Sequence, residues 1–237
     1  MIPEAEKKER RAKTAKPMMW MALVSISMMF AGLTSGYVVV QGDSFWVQTK
    51  LPQLFWISTG IIILSSATLV YALSCARKGN NVGLKIGLIA TLILGFGFSY
   101  TQFKGWGQMI DSGNFFRENL SHLKGVNGLD YKILFRGEEM IYANGHYYGA
   151  ADLALQTPLD ERLKNSFNMS SGFKYVLSGL HLIHLLGGLI YLILLIFRAF
   201  AGRYSPESLL DLELCSIYWH FLDVLWIYLF GFLYFIN

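Results

Sequence analysis

Residues 172–200 read GFKYVLSGLHLIHLLGGLIYLILLIFRAF, and between Tyr175 and Phe197 there is no Asp, Glu, Lys or Arg. A helix crosses a hydrocarbon core of about 30 Å with roughly 20 apolar residues, so this run reads as a membrane span. Four other stretches pass the same test, at 18–40, 54–76, 82–103 and 209–236. The 237-residue chain is 54% hydrophobic and only 15% charged, with positive mean hydropathy. A soluble domain carries about a quarter charged residues. The sequence therefore predicts an all-α membrane protein, a bundle of five transmembrane helices with its charges pushed into the connections.

Those connections divide the chain. Residues 1–17 form a basic arm, expected to be without regular structure on the cytoplasmic side; 18–104 hold helices 1–3; 105–171 form an extracytoplasmic insert; 172–237 hold helices 4 and 5. The first run exceeds the 7–15 residues of a secretory signal core, so it reads as an uncleaved anchor. Six Lys or Arg precede it, three lie at 77–85 and two at 198–208. With five spans these segments share one side, which the positive-inside rule makes cytoplasmic. The C-terminus then lies outside a bacterial plasma membrane. The net charge of +4 gathers largely in the arm, so it carries no nucleic-acid signal. Cys75 and Cys215 fall at cytoplasmic helix ends, where thiols stay reduced.

Residues 104–171 hold eight acidic and seven basic residues. Short β-prone runs at 131–135, 140–143 and 146–148 flank Asn144-Gly145, a hairpin signal. A small β-containing module follows, with Tyr131, Phe135, Tyr142, Tyr147 and Tyr148 available to bury. Aromatic surfaces are common at protein contacts, so the insert is a candidate for docking on a partner complex outside the membrane.

Ionisable groups within spans are costly. The fourth span carries His181 and His184 on one face; the fifth carries Glu213, Ser216, His220 and Asp223 at spacings that form one polar stripe. His184 lies fourteen residues from Arg198, and Asp223 twelve from Asp211. At 1.5 Å per residue their depths differ by about 3 Å, and His184 and Asp223 are expected within hydrogen-bond reach or bridged by one polar group. The stripe reads either as glue between helices or as a proton or ion path. Two histidines three apart on one helix cannot reach opposite faces of a haem, and no phosphate loop, nucleophile elbow or zinc motif occurs. The residues alone thus offer no catalytic, cofactor or metal site, and leave a stand-alone proton-coupled transporter open.

The run from Tyr218, Trp219, His220 and Phe221 through Asp223 to Trp226 resembles the last helix of haem–copper oxidase subunit III. Residues 178–188 resemble the helix before it, and Glu213 and Gln102 stand where that family has the same residues. The resemblance covers the five helices, in the form lacking the family's first two, and not the insert. It implies a non-catalytic subunit that stabilises catalytic subunit I of an oxygen-reducing, proton-pumping cytochrome c oxidase. Haem and copper would sit in that partner subunit and none in this chain. Bound phospholipid is also implied, although the family's lipid cleft uses the two helices lacking here. A quinol oxidase or a nitric-oxide-reductase relative fits the same motif. The chain departs from the pattern at Ile26, which replaces an intramembrane glutamate, and at 103–106, where an acidic residue is missing.

Overall fold

The computed structural model describes residues 4–43, 45–114, 116, 128, 130–202, 204 and 209–236, with side chains described from Lys13 onward. In chain order the elements are α1 (Glu4–Asp43), β1 (Phe45–Thr49), α2 (Leu54–Arg77), α3 (Asn81–Asp111), β2 (Tyr131–Phe135), β3 (Glu138–Glu139), β4 (Ile141–Ala143), β5 (His146–Tyr148), α4 (Asp160–Lys164), α5 (Met169–Phe200) and α6 (Leu210–Phe235). Among the described residues, five helices are long and apolar enough to cross a membrane: α2, α3, α5, α6 and the Lys13–Gly42 part of α1.

The expectation for the basic arm is corrected, because α1 is helical from Glu4. Glu4, Glu6 and Glu9 each precede a Lys or Arg by four residues, the spacing that supports a helix. Pro17 sits inside this helix; it removes one backbone hydrogen bond without ending the run. The third span also outlasts its apolar stretch, ending at Asp111 rather than 103, so the boundary placed at 104 moves outward. Packing carries it on. Trp106 Nε1 donates to Ser178 Oγ at 3.0 Å, and Gly105 lies so close to Phe55 that a Cβ would stand 2.5 Å from its ring. The helix then closes at Gly113, whose φ is +80°, with Asn114 N bonding Met109 O at 2.9 Å, a left-handed cap.

A tight turn joins α2 to α3, with Gly79 at φ +71° and Asn80 Oδ1 accepting Gly83 N–H at 3.0 Å. Small residues let these helices touch. A Cβ on Gly87 would meet Ala72 Cβ at 2.7 Å, and Thr68 and Thr91 hydroxyls bond at 2.8 Å.

The segment after the first span is strand β1. It pairs antiparallel with β2 of the insert, Phe45 opposite Phe135 and Thr49 opposite Tyr131, and β3 completes the sheet. The insert is therefore tied to the preceding connection rather than folded alone. Phe45, Val47, Ile133, Met140 and Leu163 form its core, with Tyr131, Phe135 and Tyr147 against them. The Asn144-Gly145 hairpin is present as expected: β4 pairs with β5, and both turn residues have positive φ, +52° and +82°, as a type I′ turn requires. Tyr148 is buried, whereas Tyr142 is exposed.

The chain divides into two compact units, one of residues 1–29, 56–101 and 180–228, the other of 30–55, 102–179 and 229–237. In the second, Tyr37 packs edge-on against Trp46, Phe173 and Phe232.

Candidate functional site

The polar groups of α6 in the first unit turn toward α2. Trp219 Nε1 donates to Ser65 Oγ at 3.0 Å, Trp226 Nε1 donates to Thr59 Oγ1 at 3.0 Å, and Ser66 Oγ lies 2.6 Å from His220 Nδ1. Three hydroxyls of α2, at Thr59, Ser65 and Ser66, thus meet Trp226, Trp219 and His220 of α6. Each bond satisfies a group that lipid cannot. Sequence reading found the α6 members and missed Thr59, Ser65 and Ser66, although paired serines inside an apolar span are a usable signal.

The expected His184–Asp223 pairing is corrected. His181 stacks on Trp226 with centroids 5.1 Å apart, and Gly188 abuts Trp219, seven residues further along each helix. Asp223 thus lies at the depth of His184, as the spacing predicts. The direction is wrong. Asp223 faces Ser66 and His220, with His220 Nδ1 3.8 Å from its carboxylate, and neither carboxylate oxygen has a hydrogen-bond partner among the described residues. His184 Nδ1 instead lies 2.7 Å from Leu180 O on its own helix, while its carbonyl accepts the Tyr218 hydroxyl at 2.9 Å. Depth follows from residue counts, but rotation about the helix axis depends on which neighbour each face meets.

His181 is fully buried between the Phe98 and Trp226 rings, and neither ring nitrogen has a hydrogen-bond partner among the described residues. Glu213 is paired, with Lys16 Nζ at 2.7 Å and Arg77 at 3.6 Å, joining α1, α2 and α6. Ser216 is buried, Phe221 half-buried. Gln102 is buried in the second unit. That unit also encloses Lys174, whose Nζ donates to Thr49 Oγ1 at 2.8 Å.

In the insert, Asp160 accepts the Tyr147 N–H at 3.0 Å and lies 2.6 Å from His146 Nδ1. Burial pushes the Asp160 carboxyl up, but the Tyr147 and His146 hydrogen bonds and the charges of His146 and Lys164 outweigh it. The carboxyl is held below the usual range. Among the described residues, no group of three or more His, Cys, Asp or Glu side chains is placed to hold a metal ion. The arrangement can clamp helices and present a membrane face.

Comparison with known proteins supports the same reading. The family model for cytochrome c oxidase subunit III matches residues 156–237. A probable cytochrome c oxidase subunit 3 of Nocardia farcinica is 25% identical over 220 residues, 91% of this chain and 84% of that protein. A probable subunit 3 of Mycobacterium tuberculosis is 40% identical over 63 residues, 27% of this chain and 31% of that protein. The cytochrome c oxidase subunit 3 of Rhizopus stolonifer is 27% identical over 174 residues, 73% and 43% of the two chains.

Proposed function

We propose that the chain is a member of the haem–copper oxidase subunit III family and that it holds the catalytic subunit I of a proton-pumping cytochrome c oxidase in working form. The observation that carries this reading is the α2–α6 seam. Trp219, His220 and Trp226 of the motif each hydrogen-bond a hydroxyl of a neighbouring helix of the same unit, which supports a rigid helix-packing surface. Haem and copper belong to the partner subunit in this reading, and lipid fills the rest of the apolar surface.

The five spans and the loop charges support a multi-pass protein of a bacterial plasma membrane, its N-terminus cytoplasmic and its C-terminus and insert outside. The insert supports a contact with a partner complex there, through the exposed Tyr142 and the hairpin beside it.

A tagged chain, purified in mild detergent, tests the reading. It is expected to bring down a haem spectrum and oxygen consumption driven by reduced cytochrome c. Consumption driven only by quinol assigns it to a quinol oxidase, and a haem-free homo-oligomer overturns the oxidase reading in favour of a transporter. Removing residues 140–149 under the same purification tests the insert; every partner kept at full occupancy overturns its docking role.

A further inference from the structure

We propose that a membrane helix of a partner subunit docks on the face formed by His220, Val224 and Ile227 of α6 with Ile63, Ser66 and Val70 of α2, and presents a hydrogen-bonding side chain to His220 Nε2. Naming that partner as the haem-bearing subunit rests on the reading above.

His220 lies ten residues into the 26-residue α6, about 15 Å from its start and near mid-membrane. Its Nδ1 is engaged inside the chain by Ser66, yet 34% of the side chain is exposed, and Nε2 has no hydrogen-bond partner among the described residues. At this depth neither water nor lipid offers a partner, and an imidazole is too short to reach either interface. The surrounding side chains sharpen the argument. Val224 is 66% exposed and Ile227 45%, while Ile63 and Val70 on α2 are both 52% exposed. An apolar surround with one polar group at its centre is the pattern in which a docked partner excludes water and the central group carries specificity. A purely lipid-facing surface needs the surround but has no use for the centre. Behind the ring, Ser66 Oγ at 2.6 Å from Nδ1 holds the imidazole in orientation, with the Asp223 carboxyl 3.8 Å from the same nitrogen. The face is thus preorganised to recognise a helix that brings a side-chain donor or acceptor to the same depth.

Benzoylphenylalanine placed at Val224, one turn from His220, leaves the imidazole intact. In native membranes it is expected to cross-link on irradiation to a helix of the haem-bearing subunit. Adducts with lipid alone, or with a second copy of this chain, overturn the proposal. His220→Phe keeps the face apolar and is expected to lower the haem retained per chain about fivefold, with His220→Gln restoring it; equal retention in wild type and His220→Phe overturns it. Should the wild-type chain bring down no haem while Val224 still cross-links to another subunit, the oxidase reading fails and the docking face stands.

Discussion

Trp219 Nε1 donates to Ser65 Oγ at 3.0 Å, and both residues are fully buried. This bond joins the Tyr218–Trp226 run of α6 to a helix outside that run. Trp219 also packs under Gly95, where a Cβ would stand 3.1 Å from its ring, and beside Gly188. One indole therefore sets the spacing of α2, α3, α5 and α6.

Trp219→Phe keeps most of that packing and removes the donor. Interhelical hydrogen bonds in membranes are worth about 0.6 to 1.7 kcal/mol, so a loss of about 1 kcal/mol in detergent unfolding is expected. Ser65→Ala is expected to cost about as much, and the double variant little more. Full additivity of the two losses would show that the bond is not what couples these residues.

Gly87 and Gly60 lie in neighbouring helices and should respond oppositely to alanine. At Gly87 the new methyl meets Ala72 Cβ at 2.7 Å and its backbone Cα at 2.9 Å, so the helices must separate; nothing lies within 4 Å at Gly60. A cost of about 1–3 kcal/mol is expected for Gly87→Ala, and no loss for Gly60→Ala, where helix propensity improves by up to about 1 kcal/mol. Thermal unfolding in a single detergent compares the two.

The insert should loosen in acid through Asp160. Its carboxyl is held below the usual range, so its contribution is complete above the unfolded value of about 3.9. It is lost as pH falls through the folded value. Amide exchange at Tyr147, whose N–H Asp160 accepts, reads this directly. Asp160→Asn is expected to lower the protection of that amide about five- to tenfold at pH 7 and to remove the further loss of protection seen in the wild type as pH falls below about 3.9.

Gly145→Val tests the hairpin. The residue sits at φ +82° in the β4–β5 turn, a conformation costing an L side chain roughly 1–2 kcal/mol. Loss of β4–β5 pairing with the β1–β2 sheet retained is the expected result by exchange mass spectrometry. Retention of both would mean that packing, not turn chemistry, holds the hairpin.

Much of this protein was legible in its sequence because the bilayer leaves few options. A run such as 175–197, without charge and longer than 20 residues, can only satisfy its backbone as a helix, and the five spans followed from composition alone. Asn144-Gly145 announced its turn for a similarly local reason, since few residues tolerate two successive positive φ values. Even the shared depth of His184 and Asp223 came from counting residues along two helices. Packing decided the rest. Tertiary contacts turned Asp223 toward Ser66 and His220 and gave the His184 carbonyl to the Tyr218 hydroxyl; they carried α3 past its apolar run on Trp106 and Gly105, and paired Phe45–Thr49 with a strand more than eighty residues away. Hydrophobic length fixes what crosses a membrane. The rotation of each helix and the partners of each strand depend on contacts between distant residues, which no local pattern encodes.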